Sequence, residues 1–339
     1  MALLSRYDET VAPGIGRITY TLSGVATPTL TRENRDAALP IPELPMRPLL
    51  LALVFALLVA PNRVDAQRAM KIYISVDMEG ISGVNSDNQT TATGAEYGRA
   101  RKLMVEDANA AIRGAFDGGA TDVLVNDSHG GQRNILPEDL DPRARLISHS
   151  FKRHGMMEGL DESFDAVIFV GYHAKAGSPR GLFAHTGSGI LRDLRINGRS
   201  VGEGGMNAIL AQWYGVPVVM VTGDDVAIEE QRETVPGIRG VVVKRAINSR
   251  AVELRPLVDT RREIQVAAKE SVAAARKGAP ARLPQYVVQM EFRDPTIPEV
   301  VTAFREIRSV TPYAVEFTRE SMPDAYRLIR VLYRFISTD

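Results

Sequence analysis

The sequence has 339 residues, of which 45% are hydrophobic, with 41 lysine and arginine side chains against 41 aspartate and glutamate side chains. This composition is that of an ordinary globular protein, and the balanced charge does not support a nucleic-acid-binding surface. The chain contains no cysteine, which excludes disulfide scaffolds, iron–sulfur clusters and cysteine nucleophiles, so that any transition metal must be bound by His, Asp and Glu.

The first predicted element is a hydrophobic segment of twelve residues, 49–60, with the sequence LLLALVFALLVA. It is shorter than the roughly 20 residues that span a bilayer, and its length is typical of a signal-peptide core. Met46 and Arg47 precede it, and Ala66 is a small residue suited to a cleavage site. We therefore expect a signal peptide over 46–66, no stable membrane anchor, and a protein that is exported to the periplasm or secreted. An uncleaved anchor is the alternative.

The sequence divides into three parts. Residues 1–45 show no clear periodicity, and we expect a disordered extension or the product of a start site assigned too early. Residues 67–339 carry regular predicted elements without an internal repeat or a low-complexity linker. We expect them to form one functional domain, with possible lobes 67–235 and 236–339.

From Met70 onward, short apolar strands alternate with amphipathic helices, a pattern typical of an α/β fold with a largely parallel sheet flanked by helices. Four of these strands run directly into acidic or imidazole side chains. Their ends are Asp77-Met78-Glu79, Asp127-Ser128-His129, Gly171-Tyr172-His173 and Gly223-Asp224-Asp225. Because the carboxyl ends of parallel strands lie at one edge of a sheet, we expect these side chains to converge there.

A hairpin is predicted between the third and fourth of these strands. Residues 194–196 and 199–201 flank Asn197-Gly198, a dipeptide that favours a tight two-residue turn. The hairpin places Glu203 at the start of the helix predicted over 206–213.

The C-terminal third is predicted to form an α/β lobe with few candidate functional residues. Its predicted strands cover 241–244, 286–292 and 312–318, and its predicted helices cover 257–277 and 323–336. Lys244 ends the first of these strands. We expect either a solvated lysine or one that approaches a substrate carboxylate.

The mixture of carboxylates and imidazoles at the strand ends favours zinc or a similar divalent ion. Carboxylates can bridge two metal ions, and imidazole suits borderline-soft ions better than magnesium or calcium. Each residue also has a purely structural interpretation, since strand-end aspartates often cap turns and single histidines are often only hydrogen-bonded. The case for a metal site therefore depends on the residues occurring together.

Two other functions are compatible with these strand ends. The segment 76–80, with Asp77 two residues before an acid and Gly80, is similar to the haloacid-dehalogenase signature of magnesium-dependent phosphatases. That signature has Asp where this chain has Glu79, and an all-oxygen magnesium site has no use for His129 and His173. A non-catalytic exported protein that binds metal or peptide is the third alternative.

Several motifs together closely resemble the DppA-like zinc-dependent D-aminopeptidase family. They are Ser75-Val76-Asp77-Met78-Glu79-Gly80, Val125-Asn126-Asp127-Ser128-His129, Met157-Glu158-Gly159-Leu160, Gly171-Tyr172-His173-Ala174, Val201-Gly202-Glu203 and Gly223-Asp224-Asp225, in that order. The likeness extends over residues 70–336. It implies a zinc metallo-aminopeptidase that acts on short peptides with a D-residue at the free amino terminus, and a homo-oligomer in the form of a decameric ring.

The resemblance also implies roles for particular residues. Two zinc ions per subunit, or manganese or cobalt in their place, would be bridged by Asp77, with terminal ligands Glu79, His129, His173 and Glu203. The catalytic histidine corresponds to His185, which would transfer a proton to the leaving amine, stabilise an oxyanion, or only orient a ligand. Independently of the resemblance, the position of Asp224 and Asp225 beside the expected metal cluster suits either binding of a substrate ammonium or capping of the helix that follows.

Overall fold

The computed structural model describes residues 69–336. The predicted extension, 1–45, and the predicted signal peptide, 46–66, lie outside the described residues. Within 69–336, no helix is long and apolar enough to cross a membrane.

Twelve strands are present in the described part of the chain. In chain order they are β1 (Lys71–Val76), β2 (Asp122–Asp127), β3 (Arg145–Ile147), β4 (Ala166–Tyr172), β5 (Leu191–Ile196), β6 (Arg199–Ser200), β7 (Val218–Asp224), β8 (Arg239–Ala246), β9 (Val252–Leu254), β10 (Tyr286–Phe292), β11 (Arg308–Thr311) and β12 (Ala314–Arg319).

Seven α-helices accompany them within the same residues. They are α1 (Asp87–Thr90), α2 (Tyr97–Asp117), α3 (Glu203–Trp213), α4 (Asp225–Thr234), α5 (Leu257–Ala274), α6 (Thr296–Val301) and α7 (Met322–Arg334). Every strand and helix predicted above is found near its expected position. The short strands β3, β9 and β11 and the helices α1 and α6 were not predicted, because each carries too few residues to show a periodic pattern.

A seven-stranded sheet in the order β3-β2-β1-β4-β7-β8-β9 forms the centre of the fold. All its neighbours pair in parallel except β8 and β9. Ile72, Ile74 and Val76 of β1 belong to the hydrophobic core beneath α2 and α5, whereas Tyr73 belongs to the core on the other face. Both faces are therefore buried, which explains why β1 is apolar rather than alternating. The predicted α/β class with a largely parallel sheet is confirmed.

A second, antiparallel sheet has the order β11-β12-β10-β5-β6. It shares a continuous core with α3, α7 and one face of the larger sheet. The hairpin β5–β6 comes from the middle of the chain, and β8 and β9 belong to the larger sheet. The two sheets therefore do not correspond to the expected lobes 67–235 and 236–339, because strand pairing joins segments that are distant in sequence.

Strand register sets the position of the candidate residues. Val76 is paired with Asp127 on one side and with Val170 on the other, and Tyr172 is paired with Gly223. The ends of β1, β2, β4 and β7 therefore lie at one edge of the larger sheet, as expected for parallel strands.

Candidate metal centre

Asp77 and Glu79 lie in a turn that is held tightly against the end of β4. The backbone N–H of Asp77 donates to the carbonyl of Val170 at 2.8 Å. A Cβ atom on Gly80 would lie only 2.0 Å from the Tyr172 carbonyl oxygen, so only glycine permits this approach. The turn thereby fixes two buried carboxylates at the sheet edge.

His129 follows β2 and points one ring nitrogen at these carboxylates. Its Nδ1 lies 2.9 Å from Oε2 of Glu79 and 3.5 Å from Oδ1 of Asp77. Its Nε2 lies 2.7 Å from the carbonyl oxygen of Thr90, which can only accept. The proton on Nε2 is therefore donated to that carbonyl, and Nδ1 faces the carboxylates, to which it donates when the ring is protonated and beside which it could bind a metal ion when the ring is neutral.

His173 follows β4 and approaches Asp77 from the other side. Its Nδ1 donates to the carbonyl of Ala174 at 2.9 Å, which leaves the lone pair on Nε2. That Nε2 lies 3.4 Å from Oδ2 of Asp77 and 3.3 Å from Oε2 of Glu203. In the part of the chain that the structure describes, neither His173 Nε2 nor Asp77 Oδ2 has a hydrogen-bond partner, although both atoms are buried.

Glu203 is the first residue of α3, and the β5–β6 hairpin brings it to the cluster, as predicted. Its Oε1 accepts a hydrogen bond from the Gly187 N–H at 2.6 Å. Gly187 has φ +71°, and a Cβ atom there would lie 2.7 Å from the ring of Tyr333. The backbone donor that orients Glu203 therefore occupies a position where only glycine fits.

His185 lies beside the cluster and is its most exposed member, with 29% of its side chain accessible. Its ring stacks on that of His173 with centroids 4.2 Å apart. Nδ1 donates to the Phe183 carbonyl at 2.8 Å, and Nε2 lies 3.5 Å from Oε1 of Glu203. The geometry leaves Nε2 free to exchange a proton.

The electrostatics of the cluster are those of a site built for cations. Burial, with the Glu79 charge added, raises the pKa of Asp77 to about 7. Burial alone would raise the pKa of Glu79, but the positive charge of the protonated His129 ring and the hydrogen bond from it outweigh burial and hold that pKa well below its ordinary value. Burial likewise opposes charge on His129 and His173, yet the neighbouring carboxylates raise the pKa of both well above the usual histidine value. The three buried carboxylates thus favour protonation of the two imidazole rings, and a divalent ion bound at the cluster would displace those protons.

The donor atoms fit metal ions better than they fit one another. Separations of 3.3 to 3.5 Å are long for hydrogen bonds. They match the spacing of about 3.3 Å between two ligands on a tetrahedral zinc ion with bond lengths near 2.05 Å. Asp77 directs Oδ1 toward His129 and Oδ2 toward His173, so its two oxygens face two separate ligand groups. Two sets of side chains lie within metal-binding reach of one another, namely Asp77 with Glu79 and His173, and His173 with His185 and Glu203.

Two cavities meet at this cluster. A small one of about 110 Å³ is lined by Asp77, Glu203, Met156 and Tyr333 among others. A wider one of about 870 Å³ is lined by residues of the 85–90 segment and of the β8–β9 turn. Glu79 and His185 line both cavities, so they mark the junction between a confined and an open space.

Asp224 and Asp225, expected as possible substrate-binding residues, are used structurally instead. Asp224 caps α4 by accepting the Ala227 N–H at 2.7 Å, and its other oxygen accepts the Leu182 N–H. Asp225 pairs with Arg180 at 2.7 Å. Neither residue lines either of the two cavities. The capping interpretation therefore describes Asp224, and the contacts of both carboxylates within the protein give no support to a role in substrate binding.

Lys244 is neither solvated nor near a substrate position, contrary to both expectations. It is fully buried, and its Nζ donates to the carbonyl oxygens of Glu79, Ile81 and Val84 at 2.5, 3.1 and 2.6 Å. Burial lowers its pKa to about 8, which still leaves the ammonium protonated at neutral pH. Lys244 therefore holds the segment that follows Glu79. A single sequence gives no signal for this, because the three acceptors lie about 160 residues away along the chain.

We expect Lys244→Met to lower the free energy of unfolding by about 3 kcal/mol, because three buried carbonyls would lose their charged donor. Zinc affinity should also fall about tenfold, since the turn that carries Glu79 would loosen. Chemical denaturation and a zinc titration measure the two effects. Lys102→Met, at an exposed position of α2, is the matched control. An unfolding free energy equal to that of the wild type would contradict this role.

A buried hydrogen-bond chain beneath the site was also missed. The Tyr172 hydroxyl donates to Ser75 Oγ at 2.8 Å and accepts from Asn207 Nδ2 at 2.9 Å, and Tyr326 donates to Asn207 Oδ1 at 2.6 Å. The chain ties β1, β4, α3 and α7 together under the cluster. The available signal was an asparagine among the apolar residues of α3.

Comparison with known proteins gives consistent matches. A family model described as D-aminopeptidase (Peptidase_M55) matches residues 70–331. A D-aminopeptidase of Bacillus subtilis (strain 168) is 46% identical over 184 residues, which are 54% of this chain and 67% of that protein. A solved structure, the Zn-dependent D-aminopeptidase DppA from Bacillus subtilis, described as a self-compartmentalizing protease, superposes with a TM-score of 0.75 at 36% identity. It covers 80% of this chain and all of that one.

Proposed function

This chain belongs to the D-aminopeptidase family and is a zinc metallo-aminopeptidase, and we propose that it releases D-alanine-type residues from the free amino terminus of short peptides. Because the chain belongs to this family, we no longer interpret the residues at the strand ends as those of a phosphatase or of a non-catalytic binding protein. The substrate, the number of metal ions and the roles of single residues go beyond family membership and rest on the site.

We assign the metal ligands from the donor atoms. Asp77 would be shared between two zinc ions, with Glu79 and His129 as ligands near its Oδ1 and with His173 and Glu203 as ligands near its Oδ2. The observation that carries this assignment is the pair of buried, unpartnered atoms Asp77 Oδ2 and His173 Nε2, which face each other at 3.4 Å. Two buried ligand atoms that face each other at this distance without a hydrogen bond fit a cation held between them. The same ligands would accept manganese or cobalt.

The protein side chains provide orientation and proton transfer. Zinc ions in this site would supply Lewis acidity toward the scissile carbonyl and lower the pKa of a bound water. His185 is held by the Phe183 carbonyl in the tautomer that leaves Nε2 basic. From the junction of the two cavities, Nε2 takes a proton from the attacking water and delivers it to the nitrogen of the leaving amine.

The shapes of the cavities suit an aminopeptidase acting on small residues. The confined cavity, about 110 Å³, would take the amino-terminal residue, and Gly187 and Tyr333 limit the size of its side chain. The wider cavity, about 870 Å³, would take the remainder of the peptide. His185 lines both, which places it beside the bond between the two parts.

We also propose that the enzyme is exported and assembles into a ring. The predicted signal peptide over 46–66 supports export, and N-terminal sequencing of the exported protein should find Gln67 first, whereas a start at Met1 would refute it. The description of the similar solved structure as self-compartmentalizing supports a closed homo-oligomer such as a decamer. Light scattering of the purified protein measures the mass, and a monomer would refute the ring.

The proposed function is tested by measuring alanine release from D-alanyl-D-alanine and from L-alanyl-L-alanine by the zinc-loaded protein. We expect release from the D,D peptide alone, and its loss after a chelator removes zinc. Restoring zinc should restore activity, which separates metal loss from denaturation. Equal rates on both isomers would refute D-stereospecificity, and no release from either peptide would refute the aminopeptidase assignment.

A further inference from the structure

The wide cavity is lined by two arginines whose side chains have no hydrogen-bond or ion-pair partner among residues 69–336. Arg250 lies in the turn between β8 and β9, and Arg293 directly follows β10, so two separate parts of the fold bring them to one cavity. Only their backbone N–H groups form hydrogen bonds, to Asn248 and Ile190. Within residues 69–336, neither guanidinium has an ion-pair or hydrogen-bond partner.

Other arginines around the metal cluster are engaged differently. Arg330 and Arg334 line the small cavity, but Arg330 donates to the carbonyls of Lys152 and Arg153, and Arg334 donates to the carbonyl of Gly130 at 3.4 Å. Their guanidinium groups therefore form hydrogen bonds to backbone carbonyl groups. Among the described arginines that line these two cavities, Arg250 and Arg293 are thus the ones whose guanidinium groups form no hydrogen bond or ion pair with the protein.

The position of the two arginines indicates what they bind. The cavity extends from Glu79 and His185, where the amine leaves, to Arg250 and Arg293. In a short peptide cleaved at its first bond, the part that leaves ends in a free carboxylate. Guanidinium groups bind carboxylates through two parallel hydrogen bonds, which are among the stronger polar contacts in proteins.

The cavity also contains one free acid. Asp87, the first residue of α1, lines it, and among the described residues Asp87 forms no ion pair, with Arg250 and Arg293 included. Glu79, the other acid in the lining, is occupied by His129. Neither acidic residue in the cavity lining therefore forms an ion pair with Arg250 or Arg293.

We propose that Arg250 and Arg293 bind the C-terminal carboxylate of the substrate peptide and so restrict the enzyme to short peptides with a free carboxyl end. The inference rests on the proposed aminopeptidase function and adds the substrate class. Binding of a remote group in the ground state and transition state alike affects KM rather than kcat.

The test compares D-alanyl-D-alanine with D-alanyl-D-alaninamide, which differs only in lacking the carboxylate. The holoenzyme should prefer the acid over the amide by about tenfold or more in kcat/KM. In the variants R250Q, R293Q and the double variant, KM for the acid should rise, by about tenfold in the double variant, with kcat nearly unchanged. Kinetic constants for the amide should not move.

Arg305→Gln is the matched control, because Arg305 is an exposed arginine that lines neither cavity. It should leave the kinetic constants for both peptides unchanged. Equal losses on acid and amide in the double variant, or equal KM values for the two peptides in the wild type, would overturn the carboxylate subsite while the aminopeptidase stands. Hydrolysis of neither peptide by the zinc-loaded wild type would overturn both.

Discussion

Asp77→Ala is expected to remove zinc and activity together. Asp77 supplies the two oxygens that face the two ligand groups, so its loss disrupts both halves of the site at once. Removing the Lewis acid removes several kcal/mol of transition-state stabilisation, which corresponds to about 10³-fold or more in kcat/KM. Metal analysis should find fewer than one zinc ion per chain in the purified variant, against the two that we propose for the wild type.

The matched control is Asp122→Ala. Asp122 begins β2, at the opposite edge of the same sheet, and its carboxylate pairs with Arg145 near the surface. Zinc content and turnover should stay at the wild-type level in this variant. Circular dichroism should show a retained fold in Asp77→Ala, because the one hydrogen bond that its carboxylate accepts from a backbone group comes from the adjacent Met78. A full zinc complement in Asp77→Ala would contradict the bridging role.

His185→Ala should retain zinc and lose turnover. The ring is held by the Phe183 carbonyl and stacks on His173, while its Nε2 faces the cluster from the rim of both cavities. Loss of a general acid–base group costs about 10²- to 10⁴-fold in kcat, and KM should change little because the cavities keep their other walls. Steady-state kinetics and metal analysis of the same preparation measure both quantities.

Two outcomes would contradict this role. His185 Nε2 lies 3.5 Å from Glu203, so His185 could instead be a metal ligand. In that case His185→Ala would lose zinc in proportion to its loss of activity. Normal turnover in His185→Ala would exclude any part in the chemistry. His149→Ala is the control, since His149 is an exposed histidine whose ring nitrogen contacts only the carbonyl of Ser150. It should change neither zinc content nor kcat.

The sequence predicted the parallel sheet and the candidate ligands because both follow from local rules. An apolar run such as 72–76 indicates a strand that is buried on both faces of the sheet, and the acidic residue that follows the run indicates where the strand ends. Parallel pairing then forces separate strand ends to one edge, so Asp77, His129 and His173 could be grouped without knowing any contact. The position of Glu203 at the start of a helix followed from the turn preference of Asn197-Gly198, which is equally local, whereas its role as a ligand was implied by the family resemblance.

What only the tertiary structure decided is how each side chain is used, because that depends on atoms contributed by distant segments. Asp224 and Asp77 both follow buried strands, yet Leu182 and Ala227 satisfy the first, while Oδ2 of the second is left without a partner. Lys244 is buried because three carbonyls converge on its ammonium, and sequence distance hides that convergence. The second sheet pairs β5, from the middle of the chain, with β10. A division of the sequence into consecutive lobes could therefore not have predicted this sheet. Local sequence patterns indicate secondary-structure propensity and burial, whereas hydrogen-bond partners and cavities are determined only when distant segments come together in the tertiary fold.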